Sequence, residues 1–318
     1  MAAETPSRRN DALSVRTYSL GPAFVTLKDG SVLTVYHAPR TYDSPPGATW
    51  IACRVTRDGG KSWAPERKII LHPECQATHP TALRTRDGTL WVFYLGYRQH
   101  SWKDGEPTAN DRSDLWAAES RSEGKTWINR QTIFKGYTGA TNGAIETRSG
   151  RLVVPFSHYV PRPGRLVSVT AVSADAGKTW KLSNRIDIGG VGDHAGAVEP
   201  TVVELKNGRL WMLIRTEKGR FWEAHSTDHG LTWSKATPTT LDAAHAPGHL
   251  TRLADGRLAL VWNRKSADRR ELSLAFSSDD GKSWSEPVVF ARGQQVCYPF
   301  VGEPSPGVLW IGFLDVAS

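Results

Sequence analysis

Three observations predict an all-β fold, a six-bladed β-propeller with four-stranded antiparallel blades. An eight-residue turn sequence ending in Trp occurs five times. A hairpin signal, an apolar alternation broken by a turn ending in Gly, occurs six times and interleaves with it. Thirdly, no apolar run in the 318 residues approaches the roughly 20 needed to cross a bilayer. Repeats of roughly fifty to sixty residues that pack only on their neighbours let one architecture extend over such a length.

The five turn sequences are Thr56-Arg-Asp-Gly-Gly-Lys-Ser-Trp63, Ser120-Arg-Ser-Glu-Gly-Lys-Thr-Trp127, Ser173-Ala-Asp-Ala-Gly-Lys-Thr-Trp180, Ser226-Thr-Asp-His-Gly-Leu-Thr-Trp233 and Ser277-Ser-Asp-Asp-Gly-Lys-Ser-Trp284. An Asp side chain accepts bonds from backbone N–H groups in such a turn, and Gly supplies the positive φ. The Trp brings a large apolar surface to bury between neighbouring units. The second copy has Ser122 in place of Asp, which predicts a weaker turn. Asp58, Asp175, Asp228 and Asp279 are therefore scaffold residues at outer turns, with no part in catalysis.

The hairpin turns are Asp29-Gly30, Asp87-Gly88, Ser149-Gly150, Asn207-Gly208, Asp255-Gly256 and Pro306-Gly307. Asp-Gly and Asn-Gly between apolar alternations are strong hairpin signals. Each full unit reads as four strands, the Trp-ending turn joining the third to the fourth. In the fourth unit the strands are predicted over 200–206, 209–216, 221–227 and 237–241. The last unit supplies only 298–303 and 308–315, and residues 14–20 are expected to add a strand and close the ring. The chain stops where a further strand would be expected. Residues 1–12 read as a flexible tail and 13–318 as a single propeller domain.

Forty basic and 32 acidic residues leave a net charge of +8. The basic residues are dispersed, with no Lys/Arg-rich run and no nucleic-acid motif, so the charge points to an acidic glycan rather than to nucleic acid or a membrane. Three cysteines, Cys53, Cys75 and Cys297, cannot form a disulfide framework. No His/Cys spacing suggests a metal site, and no cofactor is expected. With no visible signal peptide the expected location is cytoplasmic, or secreted or periplasmic if a signal has been removed.

In a propeller the first strand of each blade lines the axis, and its start faces the same end as the close of the second strand. Those positions hold Leu20-Gly21, His79, Asn142, Glu199, Gly248-His249 and Tyr298, then His37 to Arg40, Tyr97-Arg98, His158-Tyr159, Arg215, Asn263-Arg264 and Asp315. Arg40, Arg98, Arg215 and Arg264 recur at second-strand ends of different blades. Convergent guanidiniums grip carboxylate or sulfate through paired N–H groups. Asn142, His158 and Tyr97 are the remaining candidate substrate contacts. His37 and His79 are candidate general acids near neutral pH.

The eight-residue turn resembles the Asp-box, or BNR repeat, and the chain resembles the sialidase superfamily over nearly its whole length. The stretch from Glu199 to Arg215 is similar to the segment that places a Glu at a strand start and a triad Arg at the next strand's end. Cys297-Tyr298-Pro-Phe is similar to the segment bearing that family's tyrosine nucleophile. The resemblance implies Tyr298 as nucleophile, Glu199 as its base and Arg215 as one of three arginines on a sugar carboxylate. A phenol is a weak nucleophile at neutral pH, so an adjacent carboxylate must take its proton as it attacks. Where the family has Arg-Ile-Pro, this chain has Leu20-Gly21-Pro22. At the family's acid/base Asp position the alignment puts Pro45, with Asp43 two residues away as the candidate.

The function these readings support is a sialidase-like exo-glycoside hydrolase acting on an acidic terminal sugar of an oligosaccharide or glycoconjugate. Two alternatives use the same residues. A polysaccharide lyase would cleave uronic-acid glycans by β-elimination with His37, His79 or Tyr298 as acid and base, and a non-catalytic propeller would bind glycan without turnover.

Overall fold

The structure, a computed structural model, describes residues 22–38, 47–98, 102–103, 106–107, 111–162, 164–192, 194–264 and 268–316. The predicted strand at 14–20 and the tail at 1–12 lie outside them. Blade 1 runs β1 (Ala23–Thr26), β2 (Val32–Ala38), β3 (Trp50–Thr56) and β4 (Arg67–Leu71). Blade 2 contains β5 (Gln76–Arg84), β6 (Leu90–Arg98), the small pair β7 (Trp102–Lys103) and β8 (Glu106–Pro107), then β9 (Arg112–Ser120) and β10 (Ile128–Phe134). Blade 3 is β11 (Ile145–Glu146), β12 (Leu152–Val160), β13 (Arg165–Ser173) and β14 (Lys181–Leu182). Blade 4 is β15 (Val198–Glu204), β16 (Leu210–Arg215), β17 (Arg220–Ser226) and β18 (Thr237–Asp242). Blade 5 is β19 (His249–Arg252), β20 (Leu258–Trp262), β21 (Glu271–Ser277) and β22 (Val288–Arg292), followed by β23 (Gln295–Ser305) and β24 (Val308–Val316).

Among the described residues this makes five four-stranded antiparallel blades, not six, with β23 and β24 forming a two-stranded sheet. The last repeat has a hairpin but no Asp-box, the turn that joins third to fourth strand in the other five. The two-stranded sheet sits between blade 5 and blade 1, with β23 packed on β19, β20 and β21 on one side and on β1 on the other. The six hairpin glycines share one conformation, with φ between +80° at Gly307 and +88° at Gly88.

The Asp-boxes fold as local chemistry requires. Asp175 accepts the Thr179 N–H at 2.9 Å and the Ser173 and Thr179 hydroxyls, while the Gly177 N–H donates to Ser173 Oγ at 2.8 Å. In the Ser122 copy one hydroxyl oxygen does this work, accepting the Thr126 N–H at 2.9 Å. These turns also hold the ring together. A Cβ on Gly177 would lie 2.2 Å from Trp91 of the preceding blade, and one on Gly281 would lie 2.4 Å from Trp211. Trp180 meets Trp91 and Phe93 edge-on, Trp284 packs against Trp211, and Trp63 packs against Trp310 of the two-stranded sheet. Trp233 is 5% exposed among Val153 and Val172 of blade 3, with its indole N–H on Thr170 Oγ1 at 2.9 Å.

At five junctions a hairpin N–H of one repeat donates to a carboxylate of the next: Lys28 to Glu123, Arg86 to Glu146, Arg148 to Glu204, Lys206 to Asp280 and Ala254 to Glu303, at 2.5–2.8 Å. Orphan donors of an exposed turn are thereby satisfied across the blade boundary.

Candidate active site

Three axis-lining strands carry the same irregularity. In β5, β15 and β23 two residues oppose one on the neighbouring strand, between the pairs Thr78↔Leu95 and Thr81↔Phe93, Val198↔Arg215 and Thr201↔Leu213, and Cys297↔Leu314 and Phe300↔Gly312. The first residue of each bulge precedes a proline and has a positive φ: His79 at +49°, Glu199 at +39° and Tyr298 at +52°. Such a conformation costs a non-glycine residue about 1–3 kcal/mol. Proline, which cannot donate to the ladder, is tolerated at a bulge. The bulge swings each side chain out of the strand alternation and toward the axis.

The geometry joins Glu199 to its neighbours. The Tyr298 hydroxyl donates to Glu199 Oε1 at 3.3 Å, and Arg215 Nη1 donates to Glu199 Oε2. Glu199 and Arg215 are both buried, Arg215 at 1% exposure. Arg215 Nε has no hydrogen-bond partner among the described residues. The Glu199 N–H donates to Ser157 Oγ of blade 3, which fixes the bulge from behind. Burial, and then the charge of Glu199, push the Tyr298 hydroxyl up to about 12, with Arg215 and Arg269 opposing. At neutral pH it therefore keeps its proton unless the carboxylate beside it takes it.

Arg269 was not anticipated. Its guanidinium carbon lies 5.7 Å from the Tyr298 ring centroid, and its Nη2 donates to the His245 carbonyl at 2.6 Å. It sits just before β21, the third strand of its blade, a place the axis-lining argument does not cover. An antiparallel third strand nevertheless starts where the second ends, so the basic pair Arg269-Arg270 before a strand was the available signal. His245 is held down to about 4, first by burial and then by Arg215, His194 and Arg269. Arg215 and Arg269 thus both lie beside Tyr298, Arg215 paired with Glu199 and Arg269 over the phenol ring.

The other predicted residues scatter. Arg98 and Arg264 do not converge with Arg215: Arg98 pairs with Glu74 at 3.3 Å, and Arg264 is half exposed and turned toward Glu286 at 3.9 Å. A nearby surface carboxylate took each charge. His158 is buried against Phe134, its Nδ1 3.3 Å from the Tyr159 carbonyl, and Tyr97 is buried at the end of β6. His37 is 2% exposed and its Nδ1 accepts the His79 N–H at 3.3 Å, so it braces that bulge as Ser157 braces the other. His79 lies beside Tyr298 across a small cavity that Asn142 also lines. Its pKa is lowered to about 4 by burial, which makes it a neutral imidazole rather than an acid at neutral pH. Arg40 and Asp43 lie outside the described residues.

A propeller with Asp-box turns and a Tyr–Glu–Arg cluster, its Glu and Arg buried and its Tyr half-buried, defines a class. The model of the BNR repeat-like domain family matches residues 30–311, and the chain belongs to that family. A sialidase of Micromonospora viridifaciens is 26% identical over 92% of this chain, and the chain spans about half the length of that relative, 50%. Among solved structures, a protein of unknown function from Dyadobacter fermentans superposes with a TM-score of 0.73 at 18% identity, covering 93% of each chain. The K499G mutant of the NanB sialidase from Streptococcus pneumoniae superposes with a TM-score of 0.70 at 16% identity, over 95% of this chain and 66% of that one.

Proposed function

We propose that this chain is a sialidase-like exo-glycosidase acting on an acidic terminal sugar of a glycan or glycoconjugate. The observation that carries the reading is the Tyr298–Glu199–Arg215 cluster. The sialidase likeness of the relative and of the structural neighbour supports it. In the proposed reaction Tyr298 Oη bonds to the anomeric carbon while its proton passes to Glu199. The bond from that carbon to the leaving oxygen breaks, and a general acid protonates that oxygen; Asp43 is the sequence candidate. Water then attacks the same carbon and gives its proton to the conjugate base of that acid. The tyrosyl–carbon bond breaks, and Tyr298 recovers its proton from Glu199. A neutral nucleophile suits an anionic sugar, and tyrosine is known in that role. Arg215 and Arg269 hold the carboxylate through charge-assisted bonds. The reading takes residues 13–318 as one propeller of six repeats, β23–β24 occupying the sixth place.

A glycan panel with mass analysis of the products tests this. Hydrolysis is expected, with water added across the bond. An unsaturated, ultraviolet-absorbing end would replace hydrolysis by β-elimination. Arg269→Ala should lower kcat/KM for an acidic substrate by about tenfold or more, the worth of a hydrogen bond to a charged group. A neutral analogue should be little affected, and equal losses on both would remove Arg269 from the carboxylate site.

A further inference from the structure

The axis holds a second, larger cavity, toward the hairpin turns. It has a volume of about 280 Å³ and is walled by all six repeats, among them Phe24, Leu83, Ile145, Val202, Leu250 and Phe300. Sites for small molecules begin at roughly 300 Å³ and are mostly apolar, with a few convergent polar groups. The two charged residues of this cavity, Arg84 and Glu303, are already paired. Arg84 donates to both oxygens of Glu123 at 2.9 and 3.0 Å, and Glu303 accepts the N–H groups of Ala254 and Gly307 at 2.5 and 2.7 Å. Toward the active site the cavity reaches Gly143 and Phe300, which also line the small cavity beside Tyr298.

Two buried side chains that line the cavity have a hydrogen to donate. His249 is 5% exposed and Thr201 is 2% exposed. His249 Nδ1 accepts the Val301 N–H at 3.3 Å, and burial holds the ring down to about 3. The neutral ring therefore carries its proton on Nε2, which has no acceptor among the described residues. Thr201 Oγ1 accepts the Leu250 N–H at 3.3 Å, which leaves its own proton to give. A Cβ on Gly143 would lie 3.0 Å from His249 Nε2 and 3.9 Å from Thr201 Oγ1, so the glycine keeps the space beside both donors open. A buried donor without a partner is costly, so the pair calls for an acceptor.

We infer that this cavity is a second binding site, for a small uncharged molecule with an apolar body and one carbonyl oxygen that accepts from Thr201 and His249. The two lone pairs of a carbonyl oxygen match two donors. The rest of such a molecule meets aromatic and aliphatic walls. A charged ligand would find no free partner, since Arg84 and Glu303 are committed, and an unpaired buried charge is strongly disfavoured. The site is distinct from the cluster around Tyr298, because it lies toward the hairpin turns rather than at the strand starts that carry His79, Glu199 and Tyr298.

The test uses the intact chain with isotope-labelled histidines and two ligands of one shape. These are acetophenone and α-methylstyrene, which has a methylene in place of the carbonyl oxygen. Acetophenone should bind saturably and about tenfold more tightly, the worth of hydrogen bonds to buried donors that otherwise stay unpaired. It should shift the His249 Nε2 resonance along the same binding curve. His249→Phe should remove most of the preference for the carbonyl. Thr201→Val, close in shape, should narrow it by about threefold and serves if the first variant does not fold. Equal affinity for the two ligands, no saturable binding of acetophenone, or an unmoved His249 signal overturns the inference. Benzoate binding as tightly as acetophenone overturns the assignment to an uncharged molecule. None of these readouts involves turnover, so the site stands or falls apart from the proposed hydrolase.

Discussion

The outer turns and the inner bulges of this propeller both hold residues at positive φ, in different settings. At the Asp-boxes the left-handed positions are glycines such as Gly177 at +78° and Gly281 at +87°, where a side chain would also collide with the blade before, together with the residue ahead of that glycine in four boxes: Glu123, Ala176, His229 and Asp280, at +52° to +63°. At the bulges of β5, β15 and β23 the left-handed residues are His79, Glu199 and Tyr298, each before a proline. Both regions keep non-glycine residues left-handed; those of the turns precede a glycine, whereas those of the axis precede a proline, sit in a β-bulge and carry the candidate functional groups. Backbone strain that neighbours must hold in place is commonly found at sites of chemistry.

Substitutions can break that contrast. The largest stability effect is expected at Trp233→Ala, which empties a packed site between blades 3 and 4 and should cost about 3–5 kcal/mol. Chemical denaturation that shows no change would mean the indole is not an inter-blade anchor. Next comes a paired comparison. Gly177→Ala should destabilise by about 1–3 kcal/mol through positive φ and the clash with Trp91. His79→Gly should be less destabilising than His79→Ala by about 1 kcal/mol, because glycine releases the strain. If His79→Gly proves the worse of the two, the bulge stores no strain. Smaller still is Glu204→Gln, which weakens one inter-blade latch on a largely exposed arginine and should cost no more than about 1 kcal/mol.

Acid should act first on the periphery. Asp58, Asp175 and Asp279 are held down to about 2, chiefly by the hydroxyl of the residue four along in the turn. A depressed carboxyl contributes stability that is present above its unfolded value near 4 and lost as pH falls toward 2. Melting temperature should therefore decline over that window, and Asp175→Asn should flatten the decline. An unchanged slope in the variant would show that the turn does not depend on its charge.

Much of this was legible in the sequence because the rules involved are local. Asp-Gly and Asn-Gly marked hairpins, and Ser-x-Asp-x-Gly-x-Thr-Trp marked the turn between third and fourth strands. The placement of Glu199, Arg215 and Tyr298 followed from strand starts and ends on one face. What was not legible depends on which charge reaches which partner. Arg98 and Arg264 occupied the right strand ends but turned to Glu74 and Glu286. Arg269 came from a third strand and turned inward. His37 looked like a pocket residue but accepts a backbone N–H in the core. The count of four-stranded blades fell to five among the described residues because a hairpin signal alone cannot tell a two-stranded sheet from a full blade.

The central claim is that Tyr298 and Glu199 work as one unit, and a double-mutant kinetic comparison tests it most directly. On an acidic aryl glycoside, Tyr298→Phe and Glu199→Gln should each lower kcat by about 10²–10⁴-fold, the range set by losing assisted proton transfer. The double variant should be little worse than either single one, since removing either partner already disables the pair. Losses that multiply in the double variant, or a Tyr298→Phe protein that keeps most of its activity, would contradict the account.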